Sequence, residues 1–317
     1  MTNLAAQNPL GVRLGWAAGT ANNSIAEVRR QAAYAVDAGF DAYWISQIFG
    51  VDPIVALAAV ADVVEPLSEV GTSVVPLYGR HPLALAAQAR TAQSALGGRF
   101  TLGIGPSHAM VVEGFFGESY AKPFTRSREY VEAITPLLNG EPTSLSGEEL
   151  TANGWLTIDA EPVPLLLAAM GPRMLDLAGS HCAGTSLGPG MAPTVMANHI
   201  VPRVNAAAEA AGRPRPRVVT LVGVAITDEP EKLRQQLKES DELYSNLPAY
   251  RAMLDLAGLE STADVLVVGT TIDDVVAGLA EYVDAGATDL RIGVSAGDDP
   301  DIDAVTRDAL KTWIASG

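Results

Sequence analysis

Two short stretches of the 317-residue chain set polar, chemistry-bearing residues beside glycine. In 99–108 (RFTLGIGPSH) an apolar run passes into Gly103, Gly105 and Pro106 and then presents Ser107 and His108. Glycine weakens a strand and proline cannot donate to a sheet ladder. The segment is therefore either an ordinary tight turn or a place where a ligand approaches the backbone, and a Gly-x-Gly after a strand can turn its N–H groups toward an anion. His108 can take or give a proton near neutral pH, although a lone histidine is more often structural than catalytic. In 165–173 (LLLAAMGPR), Ala168 and Ala169 leave a strand end bare enough for a flat ring. Gly171 and Pro172 open a helix whose free N–H groups and dipole suit a phosphate. Arg173 falls in that first turn, where a cation is unfavourable. A nearby anion accounts for it, and so does plain solvation. The stretch 183–186 (AGTS), with Gly184 and Thr185, reads as a second small strand end adjoining the first.

A third stretch, 71–81 (GTSVVPLYGRH), puts Ser73 and Val74 at a strand end and follows them with Tyr78, Arg80 and His81. Arg80 can hold an anionic group of a ligand or a surface carboxylate. His81, before Pro82, reads as a helix-starting residue. His181 and His199 fall in helical segments and carry little chemical weight. Other chemistries are absent: no HExxH, no G-x-S-x-G, no Walker loop. Gly103-Ile-Gly105 continues as Pro-Ser-His, so the G-x-G-x-x-G of a dinucleotide fold is missing too. One cysteine, Cys182, excludes an intramolecular disulfide and a thiolate cluster, and no spacing suggests a metal.

The elements that must position these residues alternate regularly. Apolar runs at 12–16, 41–46, 69–75, 100–104, 165–169, 183–187, 218–226 and 290–294 read as eight strands. Between them lie amphipathic segments opened by Ser24, Pro53, Pro82 and Pro230 and closed by glycines such as Gly39 and Gly97. Residues 194–211 and 230–256 read as long helical regions, and 265–269 as a short extra strand. Region 140–164 breaks the rhythm with turn residues, two β-like pieces and Trp155, and reads as an insertion. Eight strand–helix units in a chain of this length predict one (β/α)₈ TIM barrel spanning 1–317, with a doubly wound sheet as the alternative. A content of 48 % hydrophobic and 18 % charged residues supports so large a core. In such a barrel the chemistry lies on the loops after the strands' C-terminal ends, where the three stretches fall. The net charge of −16 argues against nucleic acid. No uncharged apolar run reaches the roughly 18 residues of a membrane span, and no leader-like segment opens the chain. We expect a soluble cytoplasmic protein acting on a small molecule. The apolar segments 53–64 and 82–96 suit a homodimer face.

Several stretches together resemble the luciferase-like family of flavin- and deazaflavin-dependent oxidoreductases, in particular its coenzyme F420 branch. They are 38–46 (AGFDAYWIS), 69–89 (EVGTSVVPLYGRHPLALAAQA), 97–108 (GGRFTLGIGPSH), 165–187, 263–269 (ADVLVVG) and 284–292 (DAGATDLRI). The resemblance implies a (β/α)₈ barrel with the isoalloxazine-like ring at its mouth, on a bulge after strand three with a non-prolyl cis peptide at Ser73-Val74. It further implies that Gly105, Pro106 and Ser107 line the ring, and that the cofactor phosphate sits by Ala168, Ala169, Gly171, Pro172 and Arg173, with Gly184 and Thr185 adjoining. Where many relatives carry an acid or histidine after strand two, this chain has Ser46-Gln47-Ile48. Where sugar-oxidising relatives carry Glu, it has His108. The implied activity is hydride transfer between F420 and a C=O, C=N or activated C=C. Gln47 would bond the ring's polar edge and His108 would handle the proton. Arg80, Arg173 and Arg13 would offset the cofactor's acidic tail. Two alternatives stay open: an FMN-dependent monooxygenase, and a protein that binds such a cofactor without catalysis.

Overall fold

A computed structural model describes residues 8–18, 23–47, 49–240 and 242–317. Its strands are β1 (Arg13–Ala17), β2 (Ala42–Ile45), β3 (Glu69–Thr72), β4 (Val75–Pro76), β5 (Phe100–Gly105), β6 (Thr143–Ser146), β7 (Thr151–Gly154), β8 (Leu165–Leu167), β9 (Gly184–Leu187), β10 (Arg217–Ile226), β11 (Val267–Gly269) and β12 (Asp289–Val294). Eight of them pair in parallel in the order β1-β2-β3-β5-β8-β9-β10-β12, and β12 returns to β1. This is the closed barrel that the alternation of segments predicts, and not a doubly wound sheet. Strand β4 continues β3 beyond a break at Ser73 and pairs with β5. Strand β11 pairs in parallel with the C-terminal end of β10, beyond the residues that pair with β9. The two β-like pieces of the 140–164 region form the antiparallel hairpin β6–β7, outside the barrel sheet.

Helix starts follow the capping chemistry written in the sequence. The Ser24 hydroxyl accepts from the Glu27 N–H, and the Asp52 carboxylate accepts from the N–H groups of Ile54 and Val55. A ring nitrogen of His81 accepts from the Leu83 N–H at 3.3 Å, which makes His81 the helix-starting residue expected. Three helical readings change. Residues 194–211 form not one helix but Pro193–Val195, a π-helical turn Met196–Ile200 and Val201–Ala210, with Pro202 in the last piece's first turn, where its missing N–H is tolerated. Pro248 likewise helps divide 230–256 into Pro230–Ser240, Glu242–Asn246 and Pro248–Ala257. A final helix, Pro300–Ser316, follows β12 and is capped by Asp299. The sequence reading stopped short of it.

Inside the barrel the side chains form layers. At the floor, Arg217 donates to both Glu69 carboxylate oxygens, at 2.7 and 2.9 Å, and to Asp289; Arg13 and Thr101 also donate to Glu69. Burial alone would raise the Glu69 carboxyl's pKa, but the Arg217 guanidinium, with Arg13 and Thr101, outweighs it and holds the pKa below the usual range. Above the floor lies the Trp44 ring, against Gly15 and Gly71. A Cβ at Gly15 would stand 2.6 Å from the indole nitrogen, and one at Gly71 would run into the ring's six-membered edge.

Two predictions follow from these layers. Glu69→Gln leaves a buried guanidinium short of a charge, and chemical denaturation should show a loss of about 3 kcal/mol at pH 7. Because the folded Glu69 pKa lies below the unfolded value near 4.5, its stabilisation is complete above that value and disappears as pH falls through the folded pKa. The difference between wild type and variant should therefore shrink in acid; equal stability at pH 7 would refute the role. Gly71→Ala should cost about 1–3 kcal/mol by overpacking against Trp44, read by the same denaturation.

Candidate active site at the barrel mouth

The uppermost interior positions are nearly bare. Carrying the strand register upward puts Ser46, Ser73, Gly105, Ala168 and Gly293 at this level, with Gly188 just past the end of β9. Ser73-Val74 is a cis peptide. A Cβ on Gly105 would meet Val74 Cγ2 at 2.9 Å and Ala168 Cβ at 3.0 Å. A Cβ on Gly103 would strike the Thr72 carbonyl. The glycines of RFTLGIGPSH thus answer a close approach of β5 to the break after β3. Hydroxyl contacts tie the level together: Ser46 donates to the Ser73 carbonyl, and Ser73 Oγ and Ser186 Oγ lie 2.8 Å apart. A cavity of about 400 Å³ lies to one side of this level, lined by Trp44, Ser46, Arg291 and Gly293 as well as by Gln31 and Arg307, and Val74, Gly105 and Ala168 are not in its lining.

Around the platform stand the groups that can do chemistry. The Gln47 carbonyl oxygen accepts from Arg80 at 2.8 Å, and Arg80 also pairs with Asp52 at 2.7 Å. Arginine only donates, so the contact fixes the amide orientation and leaves the Gln47 NH₂ as a donor. Ile48 lies outside the described residues, as do positions 19–22 of the loop after β1. His108 packs its ring against Tyr244 and Tyr250, with centroids 6.5 and 6.0 Å away. Burial lowers its pKa from the ordinary 6.5, so its imidazole is neutral at pH 7. Ser107 adopts φ 59° and its carbonyl accepts from the Tyr120 hydroxyl at 2.9 Å. Gly171 precedes the helix Pro172–His181, and no side chain caps that N-terminus. A Cβ on Gly171 would meet nothing within 4 Å, so space opens before the helix. Arg173 lies there, 3.8 Å over the Phe124 ring. No ion pair to a carboxylate engages it among the described residues.

Some expected members are placed elsewhere. Gly184 begins β9 at floor level, where a Cβ would collide with the Arg217 backbone; its smallness serves strand packing. Thr185 is fully buried and donates to the Leu167 carbonyl. The mouth end of β9 is Leu187-Gly188. Ala169 packs into the outer core and not onto the platform. Arg13 belongs to the floor, and Arg80 is held by Asp52, so of the three expected cations Arg173 alone is exposed without a carboxylate partner among the described residues. Conversely, the reading missed Arg291, Tyr244 and Tyr250. Arg291 had a signal: an arginine inside an apolar strand, 290–294 (LRIGV), has to be explained by something buried.

The sequence profile of the family described as luciferase-like monooxygenase matches residues 10–289. The chain belongs to this family. Among its curated relatives, a protein of Mycobacterium tuberculosis provisionally named a coenzyme F420-dependent oxidoreductase is 35 % identical over 191 residues, which is 55 % of this chain and 54 % of that one. The chain thus spans about half the length of the curated relatives it first matches. Among solved structures, an F420-dependent secondary alcohol dehydrogenase in complex with an F420-acetone adduct superposes with a TM-score of 0.78 at 19 % identity, over 96 % of this chain and 98 % of that one. The oxygenating constituent of 3,6-diketocamphane monooxygenase from Pseudomonas putida, in complex with FMN, superposes with a TM-score of 0.73 at 17 % identity, over 95 % and 96 %. At these identities the likeness is one of fold, and it is the luciferase-like barrel described above.

The burial of His108 in this barrel gives a direct prediction. NMR titration, assigned with His108→Gln, should place its midpoint below 6.5, and Tyr250→Ala, which admits water, should move the midpoint back up. A wild-type midpoint at or above 6.5 would contradict the packing around the ring.

Proposed function

We propose that this luciferase-like protein is a coenzyme F420-dependent oxidoreductase that passes a hydride between the deazaflavin ring and a small organic substrate. The observation that carries the reading is the stripped platform of Val74, Gly105 and Ala168 beside an uncapped helix N-terminus at Gly171. A flat ring needs the first, and an anionic stalk needs the second. The names of the curated relatives support the cofactor, and the alcohol dehydrogenase neighbour supports the reaction class.

The residues present fit such a group. Val74, Gly105 and Ala168 would carry one face of the ring, with Pro106 and Ser107 at its margin. Ser46 and the Gln47 NH₂ would hydrogen-bond its polar edge. The free N–H groups after Gly171 and Pro172, and Arg173 beside them, would hold the phosphate and the start of the acidic tail. When bound, the cofactor supplies or accepts the hydride. The protein holds the substrate against the exposed face and moves one proton, the task we assign to His108. Neutral at pH 7, its imidazole is set to accept a proton from an alcohol; in the reducing direction its protonated form donates. Phe49, Met110 and Phe115, all exposed, rim the opening, and the rings of Phe49 and Phe115 are 5.4 Å apart. They favour an apolar substrate. Met191, in the loop after β9, is buried and takes no part in this rim.

A second reading, an FMN-dependent monooxygenase, draws on the family's description and on the FMN-bound neighbour. Titration of the purified protein with F420 and with FMN, read by fluorescence, separates the two. Tight F420 and weak FMN binding is expected, and the reverse would overturn the first reading. With F420 bound, His108→Ala should cut single-turnover hydride transfer by about 100-fold and leave F420 affinity nearly unchanged; equal loss of both would remove His108 as the proton carrier. Alcohol oxidation should rise as pH passes upward through the lowered His108 pKa, and carbonyl reduction should fall over the same interval.

A further inference from the structure

Arg291 projects from β12 into the barrel between the Trp44 level and the platform, and it is 2 % exposed. Its Nη1 donates to the Ser73 carbonyl at 3.4 Å, and its Nη2 donates to the Leu187 carbonyl. Both carbonyls belong to strand ends at the mouth, and the first is that of the cis Ser73-Val74 peptide. Nε has no partner. No carboxylate pairs with this guanidinium among the described residues. Asp289, two positions earlier on the same strand, is engaged by Arg217 at the floor. The other titratable group that bears on it is Tyr250, whose hydroxyl lies over Gly188.

A buried cation without a counter-ion is expensive. Here burial pushes the guanidinium's pKa down to about 10, still well above neutrality, so the charge persists. Two neutral carbonyls orient it and do not cancel it. Hydride delivery to a deazaflavin or flavin ring adds two electrons and one proton. Unless a second proton follows, one negative charge stays on the pyrimidine portion. The barrel has a fixed positive charge in its interior, bordering a cavity that Trp44 and Ser46 also line, and no carboxylate among the described residues pairs with it.

We propose that Arg291 is the countercharge for the reduced cofactor: a positioning residue that holds the two strand ends and favours the anionic, reduced ring over the oxidised one. The proposal rests on the cofactor reading above. It assigns Arg291 an electrostatic role that the bare platform cannot supply, because glycine, alanine and serine carry no charge.

The test compares dissociation constants of oxidised and reduced F420 for wild type, Arg291→Gln and Arg291→Lys, with thermal melting of each as the control for folding. Arg291→Gln should weaken reduced F420 at least about 10-fold more than oxidised F420, which lowers the bound potential by about 30 mV for a two-electron couple. Arg291→Lys should restore most of that difference. Equal weakening of both redox forms would mean that Arg291 only holds the strands, and would overturn the proposal. Should Arg291→Gln fail to fold, spectroscopic titration of reduced F420 on the wild-type protein decides. The bound ring should remain anionic to lower pH than the free ring, and an unchanged or raised ring pKa would overturn the proposal. If wild type binds neither redox form, the cofactor reading itself has failed, a result distinct from any of these.

Discussion

A side chain at Gly105 has no room: Val74 from one side and Ala168 from the other already occupy van der Waals distance of the missing Cβ. That close approach of three strand ends is the constraint on which the site depends. It removes side chains from the top of the barrel and leaves main chain facing the opening, with Gly103 making the same concession one turn of the pleat lower, against Thr72. Such a surface has little shape of its own. It suits a flat, rigid ligand that brings its own chemistry, because among the described residues that level offers only serine hydroxyls and no group of side chains that could hold a metal ion.

The lower layers make such a bare top affordable. The network of Glu69 and Asp289 with Arg217 and Arg13 closes the floor with charges that neutralise one another, and Trp44 fills the middle by lying in the notches left by Gly15 and Gly71. Arg291 breaks this pattern of paired charges. It is buried as deeply as the floor residues, yet it reaches upward to carbonyls at the mouth and leaves Nε unsatisfied. Charge within the barrel is therefore balanced at the bottom and unbalanced at the top. Outside, the chain carries −16 overall, with Arg173 exposed beside the open helix end. An anionic cofactor would be held by local cations against an unfavourable global field.

Much of this was legible in the sequence, and the parts that were not have physical reasons. The barrel could be read because each strand is a short apolar run and each helix is announced by a cap or a proline, as at Ser24, Pro53 and His81. Ser73, Gly105 and Ala168 could be read as neighbours because small residues at strand ends mark where backbone must stay accessible. Gly184 misled for the same reason. Glycine at a strand start and glycine at a strand end look alike in sequence, and only the register shows that Gly184 faces Arg217 at the floor. Tyr244 and Tyr250 were invisible because they come from a helical region far along the chain, and their meeting with His108 is purely tertiary. Arg13, Arg80 and Arg173 look equivalent as cations; which of them finds a carboxylate is decided by the strand or loop that carries it.

The central claim is that a tricyclic ring lies directly on the Val74–Gly105–Ala168 surface. The most direct measurement is F420 titration of wild type and Gly105→Val, with thermal melting to confirm that the variant is folded. The account predicts saturable binding by wild type at one site per chain and loss of about 100-fold or more in affinity when isopropyl bulk occupies the platform. A folded Gly105→Val protein that binds F420 as tightly as wild type would show that the ring rests elsewhere, and the account would be wrong.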